Sequence, residues 1–208
     1  MARQIICIAL LILTHSVYGQ KNNLAKFPPQ PPTKNEMEQE ERNHNCVKKN
    51  ITPLTARLKK YPFNLAAQIQ FVSFQQGVYL TSSEILRQDS LPKINDTILY
   101  SKLTEVKTLT YPQVDQLTNI FFNYGFRGTT YKISEPACYN PRNAILFLDN
   151  KAKVIDFIEI CFECRNTSAS SDKVSLGEMC DQKLDMLFDL FKKFGIEYGI
   201  TKGVRPGE

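Results

Sequence analysis

Histidine is almost missing from this chain: 208 residues contain two, His15 and His44. His15 falls in an apolar leader, and His44 in a polar stretch with no core-forming residues. Neither is expected beside a nucleophile of the folded core. Ser-His-Asp and Cys-His catalysis need an imidazole held within about 3 Å of the nucleophile. Histidine-rich zinc and copper sites fail on the same ground. Two glycine patterns are also absent, the phosphate-cradling G-x-x-x-x-G-K-[ST] loop and the dinucleotide-binding G-x-G-x-x-G turn. Hydrolases, kinases and dehydrogenases of the usual kinds are therefore not expected. The net charge of +5 is spread in alternating sign rather than in a basic stripe with interleaved aromatics, so nucleic acid is not the expected partner.

Long apolar runs are confined to the N-terminus. MARQIICIALLILTHSVYGQ places Arg3 before an apolar run from Ile5 to Leu13, and Val17-Tyr18-Gly19 offers small residues for cleavage. That order is a secretory signal. The run is shorter than the roughly 20 residues a spanning helix needs. Residues 1–19 are expected to be removed, leaving a secreted or periplasmic chain with no membrane insertion after cleavage. Residues 20–45, with four prolines followed by an acidic cluster, lack the apolar content to bury a core and are expected to form a flexible spacer. The domain is expected over 46–200, with a C-terminal tail over 201–208.

Within the domain the periodicities alternate. Thr52-Pro53 fits a short helix start with Leu54 and Leu58 inward. AAQIQFVSF (66–74) has strand composition. Residues 75–96 read as irregular, and a weaker strand candidate lies within 98–109. Thr110 opens a helix with Val114, Leu117, Phe121 and Tyr124 at helical spacing, and Gly125 is placed to end it. NAILFLDNKAKVIDFIEICF (143–162) predicts a hairpin turning at Asp149-Asn150-Lys151. Its second run places Val154, Ile158 and Ile160 on one face and Ile155 and Phe157 on the other, so it is expected to be buried on both sides. RNTSASSDK (165–173) reads as a polar loop. Ser175 and Glu178 match a capping box ahead of a last helix with Leu184, Leu187, Phe188 and Phe191 inward, Lys192 and Lys193 near its end, and Gly195 as cap. The expected fold class is α+β: a small, mainly antiparallel sheet with a central hairpin, packed by two or three helices.

Five cysteines remain after residue 19: Cys46, Cys138, Cys161, Cys164 and Cys180. In an oxidising compartment disulfides are the default, and an odd count leaves one thiol over. Cys46, at the edge of the polar segment, is the expected outlier. A hairpin turning near 150–151 sets Cys138 roughly opposite Cys161 to Cys164, and Cys180 precedes Leu184 on the helix stripe. Cys138, Cys161, Cys164 and Cys180 are therefore expected to converge. Three chemistries fit such a cluster. Structural disulfides would stabilise the domain by about 3–4 kcal/mol each. A redox pair would use Cys161 and Cys164, but such pairs favour helix N-termini and this one ends a strand. A zinc site could take all four cysteines, although such sites usually use two close pairs.

The segment CYNPRNAILF, then IEICFEC, then GEMC ahead of the last helix, resembles a group of uncharacterised secreted bacterial proteins with C-x-x-P-R followed by C-F-x-C. The resemblance covers about residues 136–195, with fainter likeness at YPFN and VSF. It implies a shared domain and cysteine cluster, and no activity, cofactor or partner. Where that group has histidine after P-R, this chain has Asn143.

The carboxylates supply no evident acid–base pair. Asp156 and Glu159 differ in strand parity and Glu163 lies within the CFEC turn, so all three are expected as surface or rim acids. Arg142, beside the cysteines, is a candidate contact for an anion or a partner carboxylate, with an internal ion pair to Glu163 or Asp156 as the alternative. Asn50, Asn95 and Asn166 each begin an N-x-[ST] sequon. The sequence therefore leads to a secreted cysteine-containing domain of unknown role, expected to be a non-catalytic binding or structural protein, with a protein or cell-surface partner as the candidate and no cofactor. A thiol–disulfide protein using the CFEC pair and a cysteine-ligated metal module are the alternatives.

Overall fold

The computed structural model describes residues 31–75, 77–80, 85–88, 90–94, 97–130 and 138–203. The expected leader with its cleavage point, most of the proline-rich stretch, the Asn95 sequon and all but three residues of the expected tail lie outside them.

The elements run in chain order as α1 (Lys34–His44), β1 (Cys46–Lys48), α2 (Leu54–Arg57), β2 (Gln68–Phe74), β3 (Gly77–Leu80), β4 (Ile85–Gln88), β5 (Lys93–Ile94), β6 (Thr97–Ile98), β7 (Leu103–Thr108), α3 (Tyr111–Asn123), β8 (Tyr124–Phe126), β9 (Asn143–Leu148), β10 (Val154–Cys161), β11 (Asn166–Ala169) and α4 (Lys183–Lys193). The fold is α+β. Among the described residues a five-stranded antiparallel sheet has the order β11-β10-β9-β2-β7, accompanied by three two-stranded pairs, β1-β8, β3-β4 and β5-β6.

The sheet is covered on both faces. On one, Phe71, Ile145, Phe147, Ile158 and Ile160 pack with Leu117 and Phe121 of α3 and Leu184, Leu187 and Phe191 of α4. Phe71 stacks on Phe191 with centroids 3.9 Å apart, and Phe63 meets Phe121 and Phe147 edge-on. On the other, Val72, Phe74, Ala144, Leu146 and Leu148 pack with Leu91 and Ile98. Every residue of β9 is buried, which explains why NAILFL carries apolar residues at both parities. Burying each such side chain contributes about 1.5–3 kcal/mol.

Several expectations need correction. The β10 run does not keep one parity throughout, because the register shifts between Val154 and Asp156. That bulge puts Val154 with Phe157 on the Leu91 face, and Ile155 with Ile158 and Ile160 on the helical face. Residues 75–96 are not simply irregular, since β3, β4 and β5 lie there. RNTSASSDK supplies an edge strand, β11, paired along β10 from Ile158 to Cys161. Residues 34–44 of the expected spacer form α1. No residue of α1 is buried. Four-residue spacing instead pairs Lys34 with Glu38, Glu38 with Arg42, Gln39 with Asn43, and Glu40 with His44.

The expected roles of Gly125 and of the Ser175–Glu178 capping box also change, whereas the caps at Thr110 and Gly195 hold. Gln113 accepts the Thr110 N–H at 2.8 Å and caps α3 as expected. Gly125 does not end the helix; it is buried in β8 opposite Val47. A Cβ there would sit 2.2 Å from Glu178 Oε2, so glycine lets that carboxylate reach the Phe126 N–H at 2.8 Å. Glu178 is thereby committed away from Ser175, whose hydroxyl accepts from Gly177, and the expected box does not form. Gly195, at φ +91, follows α4 in the left-handed conformation expected of a cap, with its N–H on the Lys192 carbonyl.

The C-terminal end of α3 is closed by Lys183, whose side chain has 0% exposure. Its ammonium donates to the carbonyls of Tyr124 and Leu176 at 2.9 Å each and of Phe121 at 3.4 Å. The site suits a cation because the last carbonyls of a helix have no intrahelical partners. Burial lowers the amine's pKa to about 8, with the Glu178 charge opposing that shift. Above pH 8 the folded chain releases a proton that the unfolded chain keeps up to 10.5. The unfolded state then binds more protons, so this group makes stability rise with pH. From pH 10 the phenols of Tyr61, Tyr100 and Tyr139, all shifted upward by partial desolvation, act in the opposite sense. Urea titrations should therefore show stability rising between pH 8 and 10, and Lys183→Met should abolish that rise. At pH 7 the same variant should lose about 1–3 kcal/mol through the carbonyls left without a donor.

Candidate functional site

The strongest concentration of reactive and ionisable side chains lies where β10 ends. The strand stops at Cys161, and residues 162–165 turn before β11, with Arg165 at φ +52. The turn aims the Cys164 N–H at the Cys161 sulfur, 3.2 Å away. Cys164 is bonded to Cys138, with Cα atoms 5.5 Å apart. Cys161 is a free thiol with 2% exposure.

The second disulfide joins Cys46 to Cys180. Cys46 is thus no outlier, and Cys180 does not join the hairpin cysteines. The reason is local pairing: β1 is drawn to the chain after α3, and Gln182 accepts the Cys46 N–H at 2.7 Å while donating to Asn45 at 2.9 Å. The four-cysteine donor set for zinc does not assemble, because three of its sulfurs lie in disulfides and a disulfide sulfur is not a thiolate ligand. The CFEC pair is likewise divided between a bonded and a buried cysteine.

Around the turn, each charge has a partner. Arg142 is buried and pairs with Glu163 at 2.5 Å, the internal alternative rather than an open anion contact. Asn143 donates its amide to the Tyr198 carbonyl at 2.9 Å. Glu159 is no rim acid. It is buried, accepting the Leu91 N–H at 2.5 Å on one oxygen and the Tyr139 hydroxyl at 2.7 Å on the other. Burial, followed by the Glu159 carboxylate, pushes the Tyr139 phenol far above its ordinary value. Asp156, on the opposite face, is also buried, within the hydroxyls of Tyr61, Ser170 and Ser171 and the Phe157 N–H. Burial alone would raise its pKa, but these donors together hold it below the usual 3.8.

His44 is held more firmly than its polar surroundings suggest. Its ring meets Phe126 edge-on, with Glu40 at 3.3 Å and Asp181 at 3.8 Å, and its carbonyl accepts the Asp181 N–H. It faces carboxylates and a phenyl ring, and the adjoining Cys46 and Cys180 are bonded to one another, so the imidazole has no thiol to activate.

A different feature went unread in the sequence. An open groove of about 350 Å³ lies between α2, the paired ends of β2 and β7, and the start of α3, lined mainly by Leu58, Phe63, Ala66, Leu109, Tyr111 and Val114. These residues come from two separate stretches of the chain, 58–69 and 108–114, so no local pattern announces it. Lys183 was more legible: it shares helical spacing with Leu187 and Leu190, which sets a lysine on the apolar stripe.

No helix among the described residues is long and apolar enough to cross a membrane. The two disulfides suggest an oxidising, extracytoplasmic setting. Comparison with protein-family models, with curated proteins and with solved structures finds no significant match.

Asp156→Ala should cost about 1–3 kcal/mol at pH 7 by leaving its donors unpaired. Because the folded carboxylate titrates below 3.8, that deficit should shrink as pH falls through this range. Opening the Cys46–Cys180 bond, across a separation of 134 residues, should cost about 5 kcal/mol, and opening Cys138–Cys164, across 26, about 3.5 kcal/mol. Urea unfolding of the paired serine variants gives both the order and the magnitudes.

Proposed function

We propose that this chain is a secreted or periplasmic, disulfide-braced domain that works by binding a polypeptide partner, and that it is kin to the secreted bacterial proteins its C-x-x-P-R and C-F-x-C pattern resembles. The observation that carries the binding role is the apolar groove beside α3. Its volume of about 350 Å³ accommodates one or two large apolar side chains. Tyr111 is 63% exposed at its mouth, and Leu65, beside the lining residue Ala66, is 59% exposed. Apolar side chains grouped at an open concavity are the ordinary composition of a binding surface. The buried carboxylates and the four disulfide cysteines, by contrast, are engaged with structural partners.

The groove also adjoins β7, an edge strand of the five-stranded sheet. Lys107 puts charge on that edge, and Glu105 accepts the backbone N–H groups of Glu197 and Tyr198 there, which discourages indiscriminate strand addition. An inserted apolar side chain therefore fits this surface better than an added strand.

A photo-crosslinking residue at position 111, introduced into the chain in its producing cell, should give one discrete protein adduct. Ala67→Glu, on the exposed lip of the groove, should reduce that adduct roughly tenfold, about 1.4 kcal/mol of binding, while leaving the fold intact by circular dichroism. Absence of a discrete adduct, or an adduct indifferent to Ala67→Glu, would overturn the binding reading.

A further inference from the structure

We infer that Cys138, Cys161 and Cys164 form an internal thiol–disulfide switch, in which the buried Cys161 thiol exchanges into the Cys138–Cys164 bond and releases Cys138 as a surface thiol. Three observations place the parts. The attacking sulfur is one turn from the disulfide and only 3.2 Å from the backbone nitrogen of the cysteine it would attack. The Cys164 N–H donates to that sulfur, which holds it beside the bond it would attack. The leaving sulfur belongs to an exposed residue, whereas the attacking one is buried.

The step balances without any external reagent. Cys161 loses a proton and its thiolate attacks the Cys164 sulfur. The Cys161–Cys164 bond forms as the Cys138–Cys164 bond breaks, and Cys138 leaves as a thiolate that takes up a proton. One disulfide and one thiol are present before and after, so no oxidant or reductant is consumed. The two states differ in where the thiol sits: enclosed at the end of β10, or at the surface on residue 138.

The surroundings make the exchange reversible. Tyr139, next to Cys138, is tied through its hydroxyl to the buried Glu159, and the Cys138 carbonyl accepts from Asn166 at 3.4 Å. Both contacts involve atoms other than the disulfide and persist when it opens. They keep the released thiol close to the bond from which it came, at high effective concentration. The switch is independent of the groove, and either proposal can fail without the other.

The test uses the mature chain, folded, at pH 8 with a bulky maleimide, followed by acid quench and peptide mapping. The expected result is label on Cys138, with a Cys161–Cys164 disulfide in the labelled molecules. Cys161→Ser should reduce native-state labelling roughly tenfold or more, because no thiol remains to drive the exchange. Cys138→Ser, oxidised with glutathione disulfide, should form the Cys161–Cys164 bond and leave no free thiol. Label confined to Cys161, or appearing only at denaturant concentrations that unfold the chain, would overturn the switch. So would a Cys138→Ser chain that keeps Cys161 and Cys164 unbonded to one another after oxidation. If Cys161→Ser fails to fold, the Cys138→Ser mapping decides alone.

Discussion

A strand buried on both faces needs two covers, and that requirement organises this domain. β9 is enclosed along its whole length, and β2, its neighbour, is buried from Ile69 to Phe74. Two helices cover one face, and the segment carrying Leu91 and Ile98 covers the other. Neither cover adjoins the other in sequence, so the chain must travel from sheet to overlay and back several times. The polar residues that the middle strands contribute are then enclosed as well. Each has a partner, and no buried side-chain nitrogen or oxygen among the described residues lacks one.

The consequences for chemistry follow from that enclosure. Asp156 and Glu159 look like surface acids in a short reading, yet the layered packing buries both, three residues apart and on opposite faces. Each is stabilised by hydroxyl or backbone donors rather than by a cation. Arg57 is buried in a similar manner, shared between the Thr52 carbonyl and the Asp115 and Thr118 side chains. Such groups specify a packing arrangement, since a misplaced alternative leaves a charge without donors. The surface concavity at α3 is built from different residues and is apolar, so structural polarity and the proposed binding surface occupy separate parts of the molecule.

What was legible in the sequence was whatever depended on short-range pattern. The central hairpin, the capped helix at Thr110 and the last helix all announce themselves through periodicity and punctuation. The opposition of Cys138 to the Cys161–Cys164 stretch could be read from the hairpin turn. Features that depended on distant partners could not. Cys46 meets Cys180 only because β1 crosses to β8, and Gly125 reads as a helix stop until Glu178 is seen to approach it. The bulge at Ile155 overturns a parity argument that is sound for a regular strand. Helix α1 is illegible for another reason: a segment whose one large apolar residue is Met37 suggests no packed structure, whereas its side chains pair along one helix.

The Cys46–Cys180 bond has a mechanical meaning. Suppose the chain is held by a point ahead of α1 while load is applied beyond α4. Tension entering at Cys46 crosses directly to Cys180 and leaves through the last helix. Residues 47–179, which include the entire five-stranded sheet, the groove and the Cys138–Cys164 bond, lie off that line of force. The staple divides the protein into a short load-bearing path and a sheltered loop, so the surface carried on that loop keeps its shape while the ends are pulled.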